Sequence, residues 1–291
     1  MDQPTTLSLS QEELTYLLHL LKIPALVGLS PRSTNGMNPY HFHALMSAAE
    51  RSLRARQWLT LGPGGDRVID TELFDILRFC ARPDYTILVA RYLLDAKPAH
   101  AVYYLSGRTR IKQYVENGVH HFVRLADDMT VFDDLFGIIT AHEDVNDGAR
   151  GNAGYCIPAT LMLALSRIRS TDDLDHEALR NQLVGQGLPE TGADHLAHLV
   201  RYEMIANTTI SAQPRRSPHK TGELKPTPAP VFSLMQTQAA WWLASPVTMQ
   251  PDTIPSNIAQ PHTSPHDYIL TALDTHSLYT QLNGLLMPCW T

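Results

Sequence analysis

The chain has 291 residues, of which 44% are hydrophobic, and its formal net charge is -6. A chain of this length buries about three quarters of the surface that it exposes when unfolded, so we expect a globular protein. The negative charge disfavours a nonspecific nucleic-acid binder, which needs many Lys and Arg side chains to displace counterions from phosphates. The sequence contains no run of roughly 18 apolar residues that would predict a membrane span.

The first residues, MDQPTTLSLSQEE, lack the basic and apolar regions of a signal peptide, so the expected location is cytoplasmic. Three widely separated cysteines predict no disulfide framework and fit a reducing compartment. Ser10 precedes Glu12 and Glu13, which place negative charge at the start of a helix, and a stripe of leucines follows at helical spacing. The sequence therefore predicts a first helix that begins after Ser10.

The next predicted elements are a helix, a turn and another helix. The run over residues 41–59 predicts a helix whose arginines face outward, namely Arg51, Arg54 and Arg56. The glycines of residues 62–66 indicate a turn. Asp70 or Thr71 is then expected to cap the following helix, because a side-chain oxygen at that position satisfies unpaired amides.

A pattern near the middle of the chain returns near its end. Residues 120–139 and 266–286 align without a gap at an offset of 147 (274 minus 127). The offset pairs three identical residues, namely Asp127 with Asp274, Leu135 with Leu282, and Gly137 with Gly284. Each copy is predicted to be a strand that leads into a helix, with the Asp as the helix cap.

The similarity continues upstream of both copies. Residues 73–79 align with residues 196–202, and predicted strands follow in corresponding places, at 85–91 with 207–213 and at 101–106 with 230–236. Each copy is thus read as a helix, two strands, one or more further strands and a helix. Two copies indicate a pseudo-symmetric domain and not a solenoid, which usually has three or more shorter repeats. We expect one domain over residues 1–291, with half-units at about 1–141 and 155–287.

The segments between and within the copies are less regular. Residues 142–155 are polar and rich in glycine, which predicts a mobile connection. Apolar helices are expected over residues 157–168 and 173–188. Two stretches rich in Pro, Thr and Ser, 214–230 and 245–266, predict long surface loops.

The side chains that could carry chemistry form no recognised pattern. The histidines at 41, 43, 120, 121 and 142 lack the i, i+4 spacing of a helical zinc site, so ordinary surface or core roles are favoured. Cys156 has no basic partner near it in the sequence, which favours a buried thiol over a nucleophile. The glycines of residues 62–66 follow no strand and precede no Lys, so they predict no phosphate site.

Two further pairs of residues were candidates for function. Asp127 and Asp128 are adjacent carboxylates, but only Asp127 has a counterpart in the second copy, which favours a helix cap over acid-base catalysis. Trp241 and Trp242 alternate across a predicted strand, so one is expected in the core and the other exposed or covered by a loop. An exposed indole would favour an interaction surface, whereas two shielded indoles would be structural.

The order of these segments resembles the EspG family of type VII (ESX) secretion-associated chaperones. The resemblance extends over nearly the full chain and rests on LSQEELTYLLHLL, AAERSLRARQWL, VIDTELFDILRFCARPD, AVYYLS, HHFVRLAD, QLVGQGLPETGADHLAHLV and YILTALDTHSLYTQLNGLL. It implies an α+β fold, with a central, largely antiparallel sheet flanked by helices and two pseudo-symmetric half-units. It also implies a cytosolic, non-enzymatic protein without a cofactor.

Such a protein would bind helical secretion substrates of the PE/PPE or WXG100 type and keep them soluble for export. A sheet with helical flanks can present an apolar face to a helical hairpin that would otherwise aggregate. Under this reading the candidate partner-binding residues are Arg108, Arg110, Trp241, Trp242, Leu282 and Leu286. Pairing of two protomers through sheet edges also stays open.

Two functions of other classes stay open at this point. A winged-helix DNA-binding regulator is suggested by helices followed by strand hairpins and by the three nearby arginines at 51, 54 and 56. The negative charge and the lack of a basic recognition helix speak against it. An uncharacterised hydrolase would use Cys156 or a histidine cluster.

Overall fold

The computed structural model describes residues 6–27, 38–93, 98–141, 154–159, 162, 175–214, 231–237, 240–246 and 268–289. The chain divides into two compact units. Unit 1 comprises Met1–Leu88, Ala101–Val131 and Pro214–Thr221, and unit 2 comprises Val89–His100, Phe132–Gln213 and Gly222–Thr291.

Unit 1 combines helices with antiparallel strands. Its helices are α1 (Gln11–Leu20), α2 (Pro39–Ala55), α3 (Thr71–Ala81) and the first turn of α4 (Asp128–Thr140). Its strands are β1 (Thr6–Ser10), β2 (Leu59–Leu61), β3 (Arg67–Ile69), β4 (Tyr85–Leu93) up to Leu88, β5 (Ala99–Ser106), β6 (Thr109–Glu116) and β7 (Val119–Leu125). The sheet order is β1-β7-β6-β5-β4, and β2 and β3 form a separate hairpin.

The starts of the unit 1 helices follow the predicted capping chemistry. The Ser10 hydroxyl accepts a hydrogen bond from the amide of Glu13 at 3.1 Å, and the Glu13 carboxylate accepts one from the amide of Ser10 at 2.9 Å. Asp70 caps α3 by accepting from the amide of Leu73 at 3.1 Å. These capping contacts confirm two predicted helix starts. The predicted outward arginines of α2 and its C-terminal flank are exposed as well.

The core of unit 1 lies where its helices meet one face of its sheet. The fully buried members are contributed by helices and strands alike, and they include Leu9, Leu14, Leu17, Leu53, Leu73, Ile76, Leu77, Tyr104 and Phe122. Strands β6 and β7 join through Asn117 and Gly118, whose φ values are 51° and 80°. A two-residue hairpin of this hand suits the twist of the strands, and Asn and Gly tolerate it best.

Unit 2 begins inside β4, at Val89, and also contains α4 from Phe132 onward. Its other strands are β8 (Gly154–Ile157), β9 (Met204–Pro214), β10 (Val231–Thr237), β11 (Trp241–Pro246) and β12 (Tyr268–Leu273). Its other helices are α5 (His176–Gly185), α6 (Glu190–His198), a π-helical turn (Leu199–Glu203), α7 (Thr275–Leu286) and a 3-10 turn (Met287–Cys289). The order β9-β10-β11-β12-β8 is antiparallel in every register that the structure describes.

One buried cluster of unit 2 packs α5, α6 and the π-helical turn against a face of β10, β11 and β12. Its fully buried members include Leu183, Ala193, Leu196, Ala197, Val200 and Ala244. Three leucines of α7 are buried at helical spacing, namely Leu278, Leu282 and Leu286. Both faces of β11 are thereby covered, since α7 also packs against this strand.

Apart from the π-helical turn that follows α6, the two stretches that align in sequence contain the same elements in the same order. The first runs α3, β4, β5, β6, β7, α4, and the second runs α6, β9, β10, β11, β12, α7. The predicted strand and helix of each copy are confirmed as β7 with α4 and as β12 with α7. The duplication itself, with half-units at about 1–141 and 155–287, stays a prediction.

Four short strands escaped the sequence patterns, namely β1, β2, β3 and β8, and β2 ends directly before the glycines of residues 62–66, which were expected to follow no strand. β1 was not predicted, and β8 begins within residues 142–155, which were expected to be a connection without regular structure. β1 alternates Leu with polar residues, so a strand signal was present there, whereas β2, β3 and β8 have only three or four residues each. Most of the predicted helix 157–168 and most of the predicted loops 214–230 and 245–266 lie outside the described residues. No helix among the described residues is long and apolar enough to cross a membrane.

Candidate functional site

Arg110 and Arg108 lie at the hairpin between β5 and β6 but have different surroundings. Arg110 is buried, at 6% exposure, and forms an ion pair with Asp128 at the start of α4. Its guanidinium also donates to the carbonyl oxygens of Gly107 and Thr109, at 2.7 and 3.0 Å. Arg110 therefore fastens the hairpin to α4, while the neighbouring Arg108 is exposed at the turn.

Both tryptophans of β11 are buried. Trp241 is 1% exposed and Trp242 is 4% exposed, so both indoles are shielded, which is one of the outcomes that the sequence left open. The Trp242 ring stacks on Tyr155 of β8 with centroids 6.0 Å apart and meets the edge of His195 of α6 at 5.9 Å. The physical reason is that unit 2 places side chains on both faces of β11, which a strand pattern alone does not reveal.

Leu282 and Leu286 are fully buried on the inward face of α7. This helix packs against β11 and β12, so the two leucines and Trp241 belong to the packed interior of unit 2. Of the six predicted partner-binding residues, Arg108 is thus exposed and the other five support the fold. A role of these residues in partner binding stays a prediction.

The contact between α4 and α7 was not predicted from the sequence. Phe132 and Phe136 of α4 meet the edge of Tyr279 of α7, with centroids 4.8 and 5.1 Å apart. The Tyr279 hydroxyl donates to the Asp133 carboxylate at 3.4 Å. Burial, followed by the charge of Asp133, raises the pKa of Tyr279. The signal was present, because the offset of 147 (279 minus 132) pairs Phe132 with Tyr279.

A buried arginine ties three elements of unit 2 together. Arg91 of β4 is 2% exposed and donates to the side-chain oxygen of Gln236 in β10 at 2.8 Å. It also donates to the carbonyl oxygen of Ala141, which follows α4, at 3.0 Å. A cation is favourable there, because the carbonyl end of a helix carries partial negative charge. The sequence signal was an arginine inside an otherwise apolar strand.

The side chains considered for catalysis have structural partners. Asp127 accepts hydrogen bonds from the amide and the hydroxyl of Thr130, both at 2.8 Å, and these bonds lower its pKa. Asp274 accepts from the amide of Ser277 at 2.6 Å, which likewise lowers the pKa of Asp274. The predicted role of Asp127 as a helix cap is confirmed, together with that of its counterpart.

The histidines and cysteines differ in how far they are exposed to solvent. His41 and His43 are exposed on α2, whereas His142 lies outside the described residues. Burial raises the pKa of the Cys80 thiol well above its usual range and that of Cys289 to about 11, while Cys156 on β8 is half-buried. Within the part of the chain that the structure describes, no group of three or more His, Cys, Asp or Glu side chains could hold a metal ion.

The chain matches no protein-family model and none of the curated proteins. Its structure is similar to that of the Mycobacterium tuberculosis type VII secretion system chaperone EspG5, which was solved in complex with a PE25-PPE41 dimer. The TM-score is 0.57, the identity is 12%, and the match covers 97% of this chain and 96% of that chain. The chain therefore has an EspG-like fold, a mixed α+β architecture with a large antiparallel sheet flanked by helices.

Proposed function

We propose that this chain is a chaperone-like binding protein of a type VII secretion system. The observation that carries the proposal is the likeness in fold to EspG5 over 97% of the chain, because EspG5 was solved with a PE25-PPE41 dimer bound. The proposed partners are helical secreted proteins of the PE/PPE or WXG100 type. The proposed location is the cytoplasm, where such substrates would be held before export.

Several side chains that could carry catalytic chemistry have structural contacts. Asp127 and Asp274 are engaged as helix caps, and the thiol of Cys80 is buried. His120 is bonded to two glutamine side chains, one at each ring nitrogen. The hydrogen bonds and the burial of these residues are explained by their contribution to the stability of the fold.

One of the three arginines that suggested the DNA-binding alternative, Arg56, is engaged in contacts within the fold. The Arg56 guanidinium lies 3.1 Å from the Glu13 carboxylate and 3.5 Å from the centre of the Trp58 ring. It also donates to the carbonyl oxygen of Ser8 at 2.8 Å. Arg56 therefore joins β1, α1 and the end of α2, which is a structural task.

We place the first contact with the partner at the hairpin between β5 and β6. Arg108 is exposed there, and Arg110 holds the hairpin against the start of α4 through Asp128. An exposed guanidinium at a turn suits a carboxylate or a helix C-terminus of the partner, since both carry negative charge. Arg108 would touch the partner, and Arg110 would act by positioning it.

The test is co-expression with a helical PE/PPE-type pair encoded beside this gene, followed by size-exclusion chromatography with light scattering. We expect a stable ternary complex and a higher soluble yield of the pair. Arg108→Glu should weaken the complex roughly tenfold. The matched control is Arg51→Glu, which reverses the same charge on exposed α2 and should leave affinity unchanged. Equal binding by both variants would remove Arg108 from the interface, and no complex with the native chain would overturn the proposed function.

A further inference from the structure

Two adjacent histidines of β7 lie against the N-terminal strand. β1 pairs antiparallel with β7 and is the terminal strand in the sheet order of unit 1. The register places Leu9 opposite His120 and Ser8 opposite His121. Because neighbouring residues of a strand face opposite sides of a sheet, one histidine lies on each face.

His120 is 4% exposed and is hydrogen bonded at both ring nitrogens. Its Nε2 lies 2.7 Å from Oε1 of Gln11, the first residue of α1, and its Nδ1 lies 3.1 Å from Nε2 of Gln113 in β6. An amide oxygen only accepts and an amide nitrogen only donates. This arrangement therefore requires the neutral ring with its hydrogen on Nε2. A second proton, on Nδ1, would face the donating amide of Gln113.

His121 adds a second ring close to the same strand. Its Nδ1 lies 2.8 Å from the Ser8 hydroxyl, and its ring stacks on Tyr114 with centroids 4.9 Å apart. The Lys112 ammonium lies 5.2 Å from the centre of the Tyr114 ring. Lys112, Tyr114 and His121 thus form a group on one face of the sheet, and His120 lies on the other face.

The elements that pack around β7, and β7 itself, carry further charged groups of both signs. They are Glu12 and Glu13 of α1, Arg110 and Glu116 of β6, Arg124 of β7, and Arg56 after α2. Glu13 is paired with Arg56. Burial and then the charge of His121 lower the pKa of His120, and Glu12 opposes them.

We propose that His120 is an acid-sensitive latch that holds β1 on β7. The protonated ring loses its bond from Gln113 and is buried as a charge, and displacement of β1 with Gln11 gives it access to water. In the closed form, β1 is paired with β7 and the pKa of His120 is lower than that of an exposed histidine. Protonation therefore favours the open form, so the closed form is most stable above about pH 6.5 and loses stability as the pH falls below that value. Opening would leave the edge of β7 unpaired.

Amide hydrogen exchange of the full-length protein between about pH 7.5 and pH 5 tests the latch, after correction for the intrinsic pH dependence of exchange. One proton per opening event predicts that protection of residues 6–10 falls by up to about tenfold per pH unit below about 6.5. Peptides from β10 and β11 should show no such change. His120→Gln should abolish the pH dependence, whereas the control His121→Gln should retain most of it.

A titration of the His120 ring by NMR in the unaltered protein gives a second readout if the variant fails to fold. The latch predicts a midpoint below about 6.5, the value of an exposed histidine. Constant protection of residues 6–10 across the pH range would overturn the proposal. An unchanged pH dependence in His120→Gln, or a midpoint at or above 6.5, would overturn it as well.

Discussion

Asp127 and Asp274 each cap the start of a helix, and the two residues occupy equivalent positions in the sequence alignment at an offset of 147 (274 minus 127). Each carboxylate accepts a hydrogen bond from the amide three residues further on, Thr130 at 2.8 Å and Ser277 at 2.6 Å. The strand before Asp127 is β7, which pairs with β1, the terminal strand of unit 1. The strand before Asp274 is β12, which pairs with β8, the terminal strand of unit 2. These shared features are the strongest support for the predicted duplication.

The two caps predict a specific dependence of stability on pH. The hydrogen bonds from Thr130 and Ser277 lower the pKa of Asp127 and Asp274 in the folded chain. The stabilisation is therefore complete above the unfolded value near 3.9, and it is lost as the pH falls through the folded values. Asp127→Asn with Asp274→Asn keeps capping oxygens but removes both titrations.

Urea denaturation of the two proteins at pH 7 and at about pH 3 measures this effect. We expect similar midpoints at pH 7, because Asn caps helices as well as Asp does. The native chain should lose more stability than the double variant on acidification. Equal losses in both proteins would show that these carboxylates do not contribute to acid unfolding.

Three helical glycines provide a matched test of packing. A Cβ atom at Gly137 or Gly284 would meet no atom within 4 Å, whereas one at Gly192 would lie 3.0 Å from the ring of Tyr155. Alanine is favoured over glycine inside a helix by about 0.8–1 kcal/mol. Gly137→Ala and Gly284→Ala should therefore raise the free energy of unfolding by up to about that amount.

Gly192→Ala should lower the free energy of unfolding, because the Tyr155 ring is stacked on Trp242 and its hydroxyl is bonded to His195. Chemical denaturation of the three variants at one pH gives the comparison. A gain at Gly192 equal to the other two would mean that the Tyr155 ring moves freely, contrary to the packing described above.

Leu282 and Leu286 are predicted to act through stability. Each is fully buried, so truncation to alanine should reduce the free energy of unfolding by about 2–5 kcal/mol. The control is Met287→Ala in the 3-10 turn directly after α7, where the side chain is 55% exposed and the loss should stay within about 0.5 kcal/mol. Thermal and urea unfolding measure the difference. A small loss at both leucines would contradict their place in the core.

Substitution of Arg110 should reduce the stability of the fold, whereas substitution of Arg108 should leave it nearly unchanged. Arg110→Ala leaves the Asp128 carboxylate and two carbonyl oxygens without their donor, and we expect a loss of about 2–3 kcal/mol in the free energy of unfolding. Arg108→Ala should change stability by less than about 0.5 kcal/mol, because the side chain is exposed. Urea unfolding distinguishes the two. Equal effects would contradict the structural role assigned to Arg110.

The parts of the fold that could be predicted have local causes. The capping box of Ser10 and Glu13 and the caps at Asp70 and Asp127 each involve residues three positions apart, so their patterns are visible in the sequence. The alternating residues of β1 were a local signal of a strand, but its pairing with β7, more than one hundred residues away, could not be predicted from a local pattern.

The candidate site was harder to predict than the fold, because exposure depends on contacts between distant segments. Trp242 is covered by Tyr155 and His195, which come from β8 and α6. Arg91 is buried by contacts with Gln236 and Ala141. A sequence pattern fixes which residues share a face of a strand or helix, but the element that covers the face is decided by tertiary packing.

Isothermal titration of the purified chain with a purified helical PE/PPE-type pair tests the proposed function most directly. We predict saturable binding of one pair per chain with a Kd of about 1 μM or tighter, which corresponds to about -8 kcal/mol. We also predict weaker binding by Arg108→Glu than by Arg51→Glu. If the native chain is fully folded and no heat of binding appears with any such pair up to about 100 μM, the proposed function is contradicted, although the EspG-like fold would remain.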